Sequence, residues 1–108
     1  MKIAITAQQA RPDAEVDPRF GRAAAFIIHD SETGESTVVD NSQSTQAAHG
    51  AGLQAAERVA KTGAKVVLTG RCGPKAWDAL TAAGITIVEG QAGPIPDAIS
   101  AYLAGTAT

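Results

Sequence analysis

The hydrophobic pattern of this chain changes period once, near residue 51, and that change limits the fold more than any other feature. Before it, apolar residues fall in short, β-rich runs: Lys2–Thr6 (KIAIT), Ala25–Asp30 (AFIIHD) and Ser36–Asp40 (STVVD). After it, the repeat is helical, broken only by two further short runs, Lys65–Thr69 (KVVLT) and Ile85–Val88 (ITIV). Runs of this length bounded by Gly, Pro and Asp are strands. Leu53, Ala56, Val59 and Ala60 mark one face of a first helix that Gly63 stops. Pro74 suits a first helical position, and Ala76, Trp77, Leu80 and Ala83 give the second helix an inner face that ends at Gly84. A third helix opens at Pro94 or Pro96, turns Ile95, Ile99, Tyr102 and Leu103 inward, and ends at Gly105.

The order βββαβαβα leaves few topologies. The polar SETGE segment, with Gly34 at its turn, makes the second and third strands a hairpin. The two later strands each follow a helix, which calls for parallel pairing through right-handed crossovers. The expected fold is therefore α/β: one domain over residues 1–108, with a mixed five-stranded sheet in the order 3-2-1-4-5, the second strand antiparallel, and three helices. The first and fourth strands lie side by side in its middle.

In open sheets of this kind, ligands bind beyond the carboxyl ends of the strands where strand order reverses. Here that point falls between the loop after the first strand and the loop after the fourth. The first is long and polar, residues 7–24, and contains VDPRFGRA with Arg11, Arg19 and Arg22. Loops this long in a compact domain are functional or disordered. With few large apolar anchors besides Phe20, it is expected to be mobile without ligand. The second, TGRCGPKA, carries Arg71 and Lys75. Four of the five arginines thus belong to two loops that the topology brings together. Guanidinium groups keep their charge near neutral pH, and the second loop feeds a helix N-terminus, where unpaired N–H groups favour an anion. Gly70 and Gly73 would let the backbone approach a ligand closely. Against this stands a plainer possibility. Asp13, Glu15 and Asp17 could pair with the loop's arginines, and Phe20 could be a plug tying the loop to the core.

Two further residues are candidates for metal contact. His49, in the HGAG that opens the first helix, is a possible ligand or a helix-capping side chain. Cys72 lies between Arg71 and Gly73 before a helix, a setting expected to lower its pKa, although a small residue in a tight turn is the simpler role. As the chain's one cysteine, it excludes an internal disulfide and any multi-cysteine metal site. GAGLQA at residues 50–55 matches a dinucleotide fingerprint only in letters, because it does not follow a tight strand-to-helix turn. A net charge of −2 argues against a nucleic-acid or membrane-surface binder. No apolar run is long enough to span a bilayer and the N-terminus lacks a signal segment, so a cytoplasmic location is expected.

VDPRFGRA after the first strand, HGAG at a helix start, and GAKVVLTGRCGPKAWDALTAAGITIV together resemble the dinitrogenase iron-molybdenum cofactor biosynthesis family over about residues 1–104. The resemblance implies a ribonuclease H-like fold and non-enzymatic binding of an anionic metal–sulfur cluster. Nitrogenase-cofactor carriers often show His-Phe-Gly where this chain has Arg19-Phe20-Gly21, which shifts the resemblance toward the orange-protein branch and its molybdenum–copper sulfide cluster. Such a cluster brings its own sulfides, in keeping with a single cysteine. The expected cluster-binding set is Arg19, Phe20, Gly21, Arg22, His49, Gly50, Arg71, Cys72, Gly73 and Lys75, with His49 and Cys72 as metal ligands and Phe20 as a cover. An ATPase or a cluster-acceptor protein is the expected partner. The alternative is a metal-free regulatory or interaction module. Nuclease chemistry on this fold would need a carboxylate on the first strand, and KIAIT has none.

Overall fold

The computed structural model describes residues 1–42 and 50–106. The strands are β1 (Lys2–Ala7), β2 (Ala25–Asp30), β3 (Ser36–Asp40), β4 (Val66–Leu68) and β5 (Thr86–Val88). The principal helices are α1 (Ala51–Lys61) between β3 and β4, α2 (Pro74–Ala82) between β4 and β5, and α3 (Ile95–Thr106) after β5. They build one sheet in the order β3-β2-β1-β4-β5. β1 pairs antiparallel with β2 and parallel with β4, so the expected order and directions are both observed.

Alternation along the strands divides the core between two faces. Ala4, Phe26, Ile28 and Val67 point to the side covered by α1 and α2, where they meet Ala55, Ala56, Val59, Ala76 and Leu80. Ile3, Ile5, Ala25, Ile27, Val66 and Leu68 point to the other side, covered by Ile95, Ala98 and Ile99 of α3. β1 is buried on both faces, which is why it carries no charge beyond Lys2. α1 ends where Gly63, at φ 82°, turns its N–H back onto the Ala60 carbonyl at 3.3 Å.

Two expectations about helices are corrected. The buried stripe of α1 is Ala51, Ala55, Ala56 and Val59, while Leu53 is 42% exposed and Ala60 faces solvent. In α2 only Ala76 and Leu80 are buried, Trp77 is 40% exposed, and Ala83 is an exposed C-cap. The reason is close helix packing: a Cβ on Gly52 would lie 3.4 Å from that of Ala76, so small residues meet between α1 and α2 and the large ones are turned out. In α3, Gly105 is the penultimate helical residue, at the end where it is expected.

The long loop after β1 is better anchored than its composition suggests. Ala14, Val16, Phe20 and Ala23 are all buried. Its backbone is bonded at Asp17 N–H to Thr6 O (2.8 Å), Val16 N–H to Gly93 O (2.9 Å) and Phe20 N–H to Arg71 O (3.0 Å). Besides Phe20, small side chains do the anchoring, and their spacing carries no periodic signal.

Candidate functional site

The two arginine-bearing loops meet beyond the carboxyl ends of β1 and β4. Arg19 and Arg71 face each other as a parallel β-bridge, closed by the bond from Phe20 N–H to Arg71 O. The approach requires glycine. A Cβ on Gly70 would lie 2.6 Å from the Pro18 Cα, and one on Gly21 would lie 2.9 Å from the Gly52 backbone at the start of α1. The long loop is thereby wedged between the β4–α2 loop and the first turn of α1.

A groove of about 480 Å³ opens at this junction, lined by Arg19, Phe20, Gly21, Arg22, Gly50, Ala51, Gly52, Arg71 and Gly73. Among the described residues, no carboxylate lines it. Two helices start at its wall, α1 from Gly50 and α2 from Gly73, and neither has a side-chain cap or an acidic residue in its first turn. The ladder of α1 begins only at Gln54 N–H, bonded to Gly50 O at 2.9 Å, and that of α2 at Trp77 N–H, bonded to Gly73 O at 2.9 Å. The amides of Ala51, Gly52 and Leu53, and of Lys75 and Ala76, therefore stand outside their ladders. Two helix dipoles and three guanidinium side chains converge on one concavity, which can hold a bulky anion.

Lys75 does not line this groove. It belongs to an adjoining one of about 350 Å³ that shares Gly50, Ala51, Gly52 and Gly73 with the first and adds Leu53, Pro74 and Ala76. The two form one continuous depression along the starts of α1 and α2. Ala51, Gly52 and Leu53 were not among the expected binding residues. Their signal was the absence of any Asp, Ser or Thr at the α1 N-cap.

Phe20 lines the groove, but at 1% exposure and tilted 44° against Phe26, with ring centroids 5.2 Å apart, it fits a plug better than a cover. Other expected site residues fall elsewhere. Cys72 is buried among Phe20, Phe26 and Leu80 and is not part of the groove wall. The expectation of a lowered pKa is overturned: burial, then the Glu89 carboxylate, push the thiol up to about 11. Glu89 approaches because its Oε2 accepts the Cys72 N–H at 2.7 Å. Arg11 pairs with Asp13 at 3.3 Å on the surface and takes no part in the groove. His49 lies outside the described residues. Among those described, no three His, Cys, Asp or Glu side chains are grouped as a metal site would require, and no helix is long and apolar enough to cross a membrane.

Comparison with known proteins places this geometry in context. Residues 1–105 match the model of the family described as dinitrogenase iron-molybdenum cofactor. The apo form of the orange protein from Desulfovibrio gigas is 47% identical and superposes with a TM-score of 0.93, over 96% of this chain and 88% of that one. A Thermotoga protein named as a NifB candidate is 32% identical with a TM-score of 0.82, over 96% of this chain and 88% of its own. An uncharacterised protein of Methanocaldococcus jannaschii is 29% identical over 97% of this chain and 87% of its own length.

Proposed function

The chain belongs to the dinitrogenase iron-molybdenum cofactor family, and on that premise we propose that its groove carries an anionic metal–sulfide cluster as cargo, without chemistry of its own. The carrying observation is the convergence of Arg19 and Arg71 across one β-bridge at the mouth of two uncapped helices. Guanidinium groups neutralise the cluster's charge, and the amides at the starts of α1 and α2 donate to its sulfides. Because a metal–sulfide cluster arrives with its metal already ligated, the protein needs to supply hydrogen bonds and charge more than ligands, which is what this wall offers. Of the two thiol and imidazole candidates, His49 remains the proposed direct contact. Cys72, held as a neutral thiol in the core, is assigned to packing. The likeness to an orange protein favours a molybdenum–copper sulfide as the cargo.

The reading is tested by titrating the apo-protein at micromolar concentration with tetrathiomolybdate and copper. A stoichiometric coloured complex is expected, and the Arg19→Glu, Arg71→Glu double variant should take up none. Absence of a complex with the natural chain would overturn the carrier role for this cargo. A second reading, a metal-free module that docks on a partner such as an ATPase, draws on the exposure of Leu53 and Trp77 near the same depression. Under that reading the double charge reversal leaves the partner complex intact.

A further inference from the structure

Buried polar side chains are few here: Thr6, Asp17, Asn41 and Thr69 among the described residues. Thr6 and Thr69 meet through their hydroxyls, and the backbone of Asp17 joins them next to the arginine bridge. Thr6 Oγ donates to the Asp17 carbonyl at 2.8 Å. Its single proton being used there, its 3.1 Å contact with Thr69 Oγ is one in which Thr69 donates. Asp17 N–H returns to Thr6 O at 2.8 Å. Thr6 is the penultimate residue of β1, Asp17 lies in the VDPRFGR turn, and Thr69 follows β4, so these contacts tie the three segments on which the groove depends. Arg19 stands two residues beyond Asp17, and Arg71 two beyond Thr69. The same bridge is closed a second time by Phe20 N–H on Arg71 O.

Asp17 has a further contact. Its Oδ1 accepts the Arg19 N–H at 2.8 Å and lies 3.7 Å from Arg19 Nε. One buried carboxylate therefore shapes the turn and attracts the guanidinium that a cargo anion would use. Apolar side chains would fill this space at no desolvation cost, so hydroxyls and a carboxylate placed here call for a role beyond filling it.

We propose that Thr6, Thr69 and Asp17 are positioning residues: the hydroxyl pair locks the spacing of Arg19 and Arg71, and the Asp17 carboxylate tempers the affinity of Arg19 for anions so that cargo can be released. The affinity half of this proposal rests on the carrier reading. The spacing half does not.

Two variants separate these roles. Thr69→Val keeps the shape and removes the donor. It should speed amide exchange at Phe20 by about 5-fold relative to the amides of Ile5 and Leu68, and weaken tetrathiomolybdate–copper binding by a similar factor, as loss of one buried hydrogen bond implies. Thr69→Ser should restore both. Asp17→Asn keeps the Oδ1 acceptor and removes the charge, and should tighten binding by about 3- to 10-fold at low salt. A residue serving stability alone would not move affinity upward. Unchanged Phe20 exchange in Thr69→Val overturns the lock, and equal or weaker binding in Asp17→Asn overturns the tempering role. Should the natural chain bind no thiomolybdate, the carrier reading and the tempering role fall together. The exchange comparison then still decides the lock. Should Thr69→Val not fold, Thr6→Val read at the same Phe20 amide decides it instead.

Discussion

Cys72 holds its sulfur in the apolar layer between sheet and helices, and its chemistry follows from that layer, not from its neighbours in sequence. Arg71 and Gly73 suggested an activated thiolate. The structure places the Arg71 side chain at the groove and brings in Glu89, seventeen residues away, beneath the Cys72 amide. That long-range approach leaves no local trace, so the sign of the shift was not legible, whereas the arginines were, because topology alone places their loops together. The shift has a consequence for stability. The unfolded chain releases the thiol proton near 9.0 and the folded chain near 11, so the folded state holds the proton longer. Stability conferred by the neutral thiol is complete below pH 9 and is lost as pH rises between those two values, by about 1.4 kcal/mol per pH unit at most. Urea midpoints should fall over that range in the natural chain and fall less in Cys72→Ala. Equal slopes would place the thiol in water.

The order and direction of all five strands could be read from the sequence because a hairpin followed by two crossovers admits little else. Helix phase could not. α1 carries alanines on several faces, so its apolar stripe is too broad to orient, and the decisive fact, a glycine-to-alanine contact between α1 and α2, is tertiary. The same close packing makes a prediction about individual glycines. Gly21→Ala forces a methyl to within 2.9 Å of the Gly52 backbone, where no side chain can rotate away. It should destabilise by about 1–3 kcal/mol. Gly105→Ala meets nothing within 4 Å and lies inside α3, where alanine is the better helix former. It should stabilise by up to about 1 kcal/mol, less if the last turn frays. Chemical denaturation of both variants checks the pair, and a neutral Gly21→Ala would mean that the loop does not sit on α1 as described.

At the scale of the whole molecule, the chain is acidic overall, with a net charge of −2, yet gathers three of its five arginines around one groove with no carboxylate among the described residues of its wall. The Arg19 charge is offset in part by Asp17, 3.7 Å away, and the loops themselves are fastened by buried Ala14, Val16 and Phe20 and by the Thr6–Thr69 contact. Exposed guanidinium groups contribute little to holding a fold, since a surface ion pair is worth about 0–1 kcal/mol. The Arg19→Gln, Arg71→Gln double variant should therefore be as stable as the natural chain without ligand, or more stable by up to about 1 kcal/mol. With tetrathiomolybdate and copper at about a hundredfold over the dissociation constant, the natural chain should gain about 2.7 kcal/mol, seen as a raised Tm, and the variant should gain little. Raised salt should shrink the natural chain's gain, because the rim charges are exposed and screened. Thermal unfolding with and without the anion distinguishes the two roles: a ligand-free variant weakened by more than about 2 kcal/mol would assign these guanidinium groups to holding the loops together, and the groove would lose its claim to a cargo.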